Sequence, residues 1–247
     1  TVMFCSFDKQ PVIMRLYGFG PAFGLADGSP FVLKVEAFCR WQGLAYDKVN
    51  AVSAIRRSPS GKLPMLVQGE QCVVDSHAIL DHLTQSLGLS IDQDLSDAQR
   101  AESYFVARSV EEHLYFLLLW VRWWPDQTWP QVRDAFFAGV PAVLRGPISA
   151  MVRRQVKKQA WAQGVARYPD AHIVSMLDEA LQSLAIGLDD RIYWFGDDVH
   201  RLDIELYAFL APMLLGTFKS PYLAHLAPPS SLVAYVQRLH ERLAWPS

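Results

Sequence analysis

The hydrophobic pattern of the chain changes period once, and this change constrains the fold more than any other feature. As far as Gly88, short strand patterns alternate with helix patterns. From Ser96 onward, long segments keep the three- and four-residue spacing of amphipathic helices. A 247-residue chain of this kind is expected to form an α/β unit followed by an all-α unit. We predict an N-terminal domain over residues 1–89 and an all-helical domain over residues 96–247.

The N-terminal part opens with a strand and a helix. Residues 12–17 are rich in β-branched and aromatic side chains, which predicts a strand. A glycine-rich loop follows over residues 18–28. Ser29 and Pro30 are then a typical N-cap and first helical residue. The helix that they begin is predicted to end at Gly43.

This first helix is predicted to be amphipathic. Phe31, Val35 and Phe38 recur at three- and four-residue steps and mark its apolar face. Lys34 and Glu36 are expected to turn away from that face. The helix would then bury one side and leave the other side polar.

A second strand and a hairpin complete the N-terminal pattern. Residues 45–49 predict a strand, and residues 65–67 and 71–74 predict two strands of an antiparallel hairpin. Asp75 and Ser76 are then expected to cap a further helix. Parallel strands joined by a helix and followed by an antiparallel pair are typical of a thioredoxin-like sheet.

Charge and cysteine content exclude several kinds of partner. A net charge of −2 and a pI near 6.4 give no overall attraction to nucleic acid or to an anionic membrane, so we expect no nucleic-acid partner. Cys5, Cys39 and Cys72 have neither disulfide nor zinc spacing, which suits a reducing compartment and no metal centre. Cys39 lies beside the apolar face of the first helix and is interpreted as a small buried hydrophobe.

The N-terminus and the most apolar segment bear on location. The first dozen residues include Asp8, Lys9 and Pro11 and therefore lack the apolar stretch typical of a signal peptide. The apolar run over residues 114–121 is far shorter than the roughly 20 residues that span a bilayer. We predict a cytoplasmic protein with no membrane span.

Several short segments occur in a fixed order along the chain: residues 29–31, 61–64, 75–79 and 196–208, the last with Asp203. Together they resemble the glutathione transferase superfamily, and the resemblance covers nearly the whole chain. Residues 18–21, 29–36 and 111–115 with 122–123 are more similar to the branch of failed axon connections and the metaxins. The resemblance implies a thioredoxin-like N-terminal domain and an all-helical glutathione-transferase C-terminal domain.

The same resemblance implies a glutathione site. Pro64 matches the cis-proline of the family, and Leu63 matches the residue whose backbone pairs with the cysteinyl part of glutathione. Lys62, which precedes Leu63, is also expected to bind glutathione. Asp75 and Ser76 match the pair that holds the γ-glutamyl end. Aspartate is one methylene shorter than the usual Glu or Gln, and the loop over residues 18–28 is longer than the usual turn.

Two hydroxyl groups are candidates for stabilising the glutathione thiolate. A thiol of pKa near 8.5 is only slightly ionised at neutral pH, and a hydroxyl donor at a helix N-terminus lowers that pKa. Ser29 falls at the position of the family's catalytic serine or cysteine, although it could equally be only an N-cap. Tyr17, at the end of the first strand, is the alternative.

A long helix predicted over residues 98–124 offers the candidate pocket for the second substrate. Four- and three-residue steps place a set of mostly polar residues on one face, which is either solvated or, as the resemblance implies, lines the second-substrate site. The set is Arg108, Glu112, Tyr115, Leu119 and Arg122, with Phe31 added from the first helix and Trp120 and Trp123 as shaping aromatics.

Two further clusters are interpreted without a ligand. His77 and Asp81 stand one helical turn apart, but no third metal ligand accompanies them, so we expect a surface pair. The basic run Arg153, Arg154, Lys157 and Lys158 is expected to form a solvated helix face rather than a patch that binds an anion or a membrane.

Two functions remain open at this point. The first is an enzyme, most simply a homodimeric glutathione transferase, that uses glutathione as co-substrate. It would transfer glutathione to a small hydrophobic electrophile or remove it from a mixed disulfide. The second is a non-catalytic, metaxin-like binding protein on the same scaffold.

Overall fold

The computed structural model describes residues 14–245, so Cys5 and the first two residues of the predicted strand lie outside the described part. Its strands are β1 (Met14–Gly18), β2 (Asp47–Asn50), β3 (Met65–Gln68) and β4 (Gln71–Val74). Its helices are α1 (Pro30–Trp41), α2 (Ser76–Leu87), α3 (Asp97–Ser109), α4 (Tyr115–Trp123), α5 (Trp129–Phe137), α6 (Ala142–Gln163), α7 (Asp170–Leu188), α8 (Arg201–Leu214), α9 (Pro221–Ala224) and α10 (Ser230–Arg242).

The four strands form one mixed sheet in the order β2-β1-β3-β4. β1 runs parallel to β2, across the helix α1, and antiparallel to β3, and β3 and β4 are the predicted hairpin. A 3₁₀ turn over Val52–Arg56 replaces a full helix between β2 and β3. This arrangement confirms the predicted thioredoxin-like unit followed by helices.

Local backbone geometry explains where α1 begins and where α2 begins and ends. Ser29 is extended and precedes Pro30, whose fixed φ favours the first helical position. Asp75 caps α2 with its side chain, which accepts hydrogen bonds from the backbone of His77 and Ala78. Gly88 ends α2 in the left-handed conformation, at a φ of 61°.

The helical half is built around α4 and α8. A π-helical turn over Val110–Leu114 joins α3 to α4 without a break, so the predicted long helix contains one irregular turn. α8 is almost entirely buried and packs against α1 and α10. Residues 89–96 hold neither a helix nor a strand, and the division into two domains there stays a prediction.

The helix α6 differs from its predicted role. Arg153 bonds the backbone carbonyls of Trp123, Trp124 and Pro125, and Lys157 lies 5.1 Å from the centre of the Trp124 ring. The interpretation of the basic run as a solvated face is therefore wrong for these two residues, because they stabilise the end of α4.

Within residues 14–245, no single helix is long and apolar enough to cross a membrane. α5 and α6 reach the threshold only when they are counted together across a 120° bend.

Candidate functional site

The residues predicted to bind glutathione lie at one end of the sheet. Tyr17 on β1 pairs in register with Met65 on β3, and Met65 pairs with Val74 on β4. The end of β1, the start of β3 and the end of β4 therefore meet in one row. Leu63 lies just before β3 and Asp75 directly follows β4, so both residues lie at this same end of the sheet.

The backbone of Leu63 is free of the sheet. Both ladders of β3 begin at Met65, and the Leu63–Pro64 peptide bond is cis, as predicted. The Leu63 side chain is buried, which anchors the residue, while Lys62 is exposed beside it. A peptide-like ligand can pair with backbone groups that are not used in a strand ladder.

Asp75 and Ser76 occupy the N-terminus of α2 beside this edge. Asp75 has a positive φ of 76°, and its Oδ1 accepts from the His77 and Ala78 amides at 2.9 and 3.1 Å. The carboxylate thus satisfies the helix end, and Ser76 is buried next to it. Positive φ in a residue with a side chain is uncommon and is concentrated at functional sites.

Ser29 lies at the N-terminus of α1 with its hydroxyl outside the capping hydrogen bonds. Its backbone is extended, at φ −98° and ψ 124°, and its side chain makes no cap hydrogen bond. Its amide donates instead to Asp27 Oδ1 at 2.9 Å. The hydroxyl is therefore not used to cap α1, and it stands at the positive end of the helix dipole.

Asp27 organises the loop that delivers Ser29, a role that the sequence analysis missed. Its buried carboxylate accepts from the amides of Phe19, Gly20 and Ser29. Lys48 on β2 lies 2.9 Å from Oδ2 and balances its charge. The long loop is thus held at both ends by one side chain.

Lys48 also pairs with Glu36, which was predicted to turn away from the core. Glu36 is 5% exposed, with Lys48 Nζ at 2.5 Å and the Tyr46 hydroxyl at 3.2 Å. Burial raises the pKa of Glu36, although Lys48 opposes the shift. The predicted polar side of α1 is therefore wrong at Glu36, because β2 and its lysine cover that side.

Tyr17 points to the face of the sheet opposite Leu16. Alternation along β1 puts Leu16 into the main core and Tyr17 against a smaller cluster with Leu63 and Met65. Its ring is half-buried and lies 5.7 Å from the Arg57 guanidinium. Tyr17 therefore remains at the site edge as the alternative hydroxyl.

Aromatic residues join the first helix to the helical half. The rings of Phe31 and Tyr115 lie 4.7 Å apart, and Phe209 of α8 lies 5.0 Å from Phe31. Burial raises the pKa of Tyr115 to about 12, so its hydroxyl stays protonated at neutral pH. Phe31 and Tyr115, both predicted for the second-substrate pocket, are thus in contact.

Arg122 acts on the loop rather than on an open face. Its Nη1 donates to the Gly28 carbonyl at 2.9 Å, and its guanidinium lies 4.7 and 5.7 Å from the rings of Phe23 and Phe218. Burial lowers the pKa of Arg122 to about 10. Its Nε has no hydrogen-bond partner in the described part of the chain. Arg122 therefore clamps the residue that precedes Ser29.

The prediction of one polar face along α3 and α4 is wrong. The π turn carries one extra residue, so spacing based on 3.6 residues per turn does not continue across it. Glu112 is exposed, whereas Leu119 and Arg122 are buried. Arg108 turns toward α2, where its Nη2 lies 3.1 Å from His77 Nδ1.

A buried ion network was also missed. Lys34, predicted to turn away from the core, is fully buried and lies 2.5 Å from Glu111 of the π turn and 3.5 Å from Glu205 of α8. Burial raises the pKa of Glu111 despite Lys34. A lysine inside an apolar helix stretch was the signal, but nothing nearby in sequence identified its partners.

His77 and Asp81 are part of this network rather than an isolated surface pair. Arg201 of α8 bonds His77 Nδ1 at 2.8 Å, Asp81 at 2.5 Å and Glu205 at 2.9 Å. Among residues 14–245, no three His, Cys, Asp or Glu side chains are placed to hold a metal ion. Cys39 is fully buried as expected, and burial raises the pKa of its thiol to about 12.

Family models match both halves of the chain. The glutathione S-transferase N-terminal domain model matches residues 30–129, and the glutathione S-transferase C-terminal domain model matches residues 177–239. The first match begins at α1 and continues through α3 and α4, and the second match lies within the helical half.

Individual relatives agree with the models. The isoprene-epoxide–glutathione S-transferase of Rhodococcus sp. (strain AD45) is 30% identical over 80% of this chain and 85% of its own length. Failed axon connections of Drosophila melanogaster is 27% identical over 84% of this chain, which spans about half of that protein (51%). A Ceriporiopsis subvermispora glutathione S-transferase crystallised with glutathione superposes with a TM-score of 0.62 at 16% identity, covering 95% and 99% of the two chains. This chain belongs to the glutathione S-transferase family.

Proposed function

We propose that the chain binds glutathione at the end of the sheet beside Tyr17, Leu63 and Ser76. We propose further that it transfers glutathione to a small hydrophobic electrophile. The Ser29 hydroxyl carries the proposal, because it stands at the N-terminus of α1 without serving as its cap. The Leu63 backbone, which lies outside both ladders, supports a peptide ligand at the same edge. The ligand that we propose is a small peptide whose thiol faces Ser29.

In this proposal Ser29 donates a hydrogen bond to the glutathione thiolate. A hydroxyl donor to a charged acceptor contributes about 1.5–3 kcal/mol, which lowers the thiol pKa by roughly one to two units. The N-terminus of α1 adds about 0.3–1 kcal/mol. Both effects bring a thiol of pKa about 8.5 close to neutral pH.

We propose an epoxide-like electrophile as the second substrate, by analogy with the Rhodococcus relative. The thiolate sulfur forms a bond to carbon while the carbon–oxygen bond of the strained ring breaks. The resulting alkoxide takes a proton from water. Phe31 and Tyr115, which contact each other beside α1, supply the apolar wall for such an acceptor.

Removal of glutathione from a mixed disulfide is less well supported. That reaction needs an accessible thiol near the site to form the intermediate disulfide. Position 29 is a serine, and the Cys39 thiol is buried with its pKa raised to about 12. Cys72 is exposed on β4, but it lies two residues before the end of that strand that borders the site. Transfer to a carbon electrophile therefore fits these residues better.

The test compares Ser29→Ala with Tyr17→Phe. We expect Ser29→Ala to raise the pKa of the bound thiol by roughly one to two units and to lower turnover at neutral pH by about ten-fold or more. Thiolate absorbance of the glutathione complex across pH measures the first effect, and conjugation of a small epoxide measures the second.

The structure sharpens this test because Ser29 is not a capping side chain. Ser29→Ala should change the unfolding free energy by less than about 0.5 kcal/mol, unlike the loss of a true cap. An unchanged thiol pKa in Ser29→Ala with a raised one in Tyr17→Phe would transfer the role to Tyr17. Titration calorimetry that shows no heat with glutathione and folded protein would contradict the proposal as a whole.

A non-catalytic binding protein is the second candidate. Asp75 Oδ1 accepts the capping hydrogen bonds of α2, so less of the carboxylate is available to a ligand. Failed axon connections is also among the relatives. Glutathione binding without turnover of any electrophile would favour this candidate. The homodimer and the cytoplasmic location stay predictions.

A further inference from the structure

The helix α6 exposes apolar side chains that the fold does not cover. Val143 is 89% exposed, Met151 65%, Leu144 52% and Trp161 52%. Isolated exposed apolar residues are ordinary, but four on one helix form a patch that calls for a partner.

These residues share one side of α6. At 100° per residue, Val143, Met151 and Trp161 fall within one sector of about 80° together with Arg154 and Lys158, and Leu144 lies at its border. We call this set the α6 outer face. Ser149 and Ala160 lie on the opposite side and are buried against the protein.

The charge of this region is of one sign. Between residues 135 and 169 the chain has six Lys or Arg residues and no Asp or Glu, in a protein with a net charge of −2. Arg153 and Lys157 are used inside the fold, whereas Arg154 and Lys158 are exposed on the outer face. Arg167 lies 5.6 Å from the ring of Trp161 and adds a further positive charge at that end.

We propose that the α6 outer face docks on the surface of an anionic phospholipid bilayer. A helix that presents apolar residues and a tryptophan beside lysine and arginine has the composition of an interfacial helix. The apolar side chains would enter the headgroup boundary while Arg154 and Lys158 contact lipid phosphates. α6 has 22 residues, about 33 Å in length, and would lie flat on the membrane.

Charge complementarity separates this partner from a second copy of the chain. A two-fold contact places the same surface on both sides, and here it would bring Arg154 and Lys158 of both copies together. An anionic bilayer instead supplies the opposite charge over the whole length of the helix. The bilayer would also remove the side chains of Val143 and Leu144 from water, which the polar surface of another protein would not do.

The experiment measures co-sedimentation of the full chain with vesicles of phosphatidylcholine alone and of phosphatidylcholine with phosphatidylserine. We expect binding to the acidic vesicles at low salt that weakens as salt is added. The double variant Arg154→Gln/Lys158→Gln should bind about 25-fold more weakly, since each charge contributes about five-fold. Val143→Ser/Leu144→Ser should weaken binding by about ten-fold or more, including the part that salt does not remove.

Matched controls lie elsewhere on the surface. Ile186→Ser removes a 78% exposed apolar side chain from α7, and Arg56→Gln/Arg100→Gln removes two exposed charges; both should bind like the wild type. All variants should keep the wild-type melting temperature, because the substituted residues are exposed. No preference for acidic vesicles, or equal losses in the controls, would overturn the proposal. Unchanged vesicle binding with a lower oligomeric mass in Val143→Ser/Leu144→Ser would assign the face to a contact between copies.

Discussion

Buried charges in this protein shift the pKa of neighbouring groups in opposite directions. Burial opposes ionisation of Glu205, but Lys34 and Arg201 outweigh it, so its pKa is lowered. Glu111 shares the same lysine, yet its pKa is raised. Burial is the main cause, and the negative charge of the neighbouring Glu205 adds to it. The ion network therefore stabilises one carboxylate more than the other.

His77 is the histidine of this network, and two arginines contact its ring. Its Nδ1 faces Nη2 of both Arg201 and Arg108, and arginine can only donate, so Nδ1 must accept. Burial, helped by the Arg201 charge, lowers the pKa of His77. The folded protein therefore holds this imidazole neutral.

We predict that the free energy of unfolding falls as the pH drops below about 6.5. In that range His77 binds a proton in the unfolded chain but not in the folded protein. His77→Asn keeps an acceptor for the arginines but cannot titrate, so its melting temperature should decline less between roughly pH 7 and pH 5. His225→Asn, at an exposed histidine, should keep the wild-type slope. Equal slopes in His77→Asn and the wild type would contradict the prediction.

At the scale of elements, the start of α8 is fixed by one carboxylate. Asp203 Oδ1 accepts from the Trp194 amide at 2.8 Å and the Tyr235 hydroxyl at 2.7 Å, and Oδ2 accepts from the His200 amide at 2.8 Å. It thus ties α8, the preceding loop and α10 together. The side chain is fully buried, so water cannot replace these bonds.

We predict a graded loss of stability at this position. Tyr235→Phe removes one hydrogen bond and should lower the unfolding free energy by about 0.5–1.5 kcal/mol. Asp203→Ala leaves three buried donors unpaired and should lower it by about 3 kcal/mol or more. Urea denaturation measures both, with exposed Asp197→Ala as the control in the same loop. Equal stability of Asp203→Ala and Asp197→Ala would refute this role.

At the scale of the whole molecule, the ion network joins the two halves. Lys34 lies on α1 of the sheet unit, and its partners Glu111 and Glu205 lie in the helical half. Arg201 extends from α8 to Asp81 on α2. Since α1 and α8 also pack closely, opening one half would expose both apolar surface and unpaired charge.

We predict that Lys34→Met lowers the unfolding free energy by about 1.5–3 kcal/mol, because buried Glu111 loses one of its two cations and keeps only Arg108, at 2.5 Å. Lys34→Met/Glu111→Gln should recover part of that loss, since the carboxylate that Lys34 neutralised is then absent. Arg133→Met, which breaks the exposed pair with Asp134, should change stability by no more than about 1 kcal/mol. Equal stability of the single and double variants would show that the pair is not coupled.

Local sequence determined the order and the ends of the elements. Ser29 with Pro30, Asp75 with Ser76, and Gly88 act through backbone geometry within a few residues, so the starts of α1 and α2 and the end of α2 were predictable. The hairpin of β3 and β4 followed from the same kind of short-range pattern. The family resemblance added the cis bond before Pro64.

Only the tertiary structure decided which polar residues are buried and which apolar residues are exposed. Lys34 pairs with Glu111, which is 77 residues away, and Asp27 pairs with Lys48 on β2. Neither pair could be predicted from the residues adjacent in sequence. The π turn changes the phase of the helix before Arg122, and the packing of α6 leaves Val143 outside. Helix period alone tells which residues share a face, but only the contacts between distant segments determine whether that face meets the core or the solvent.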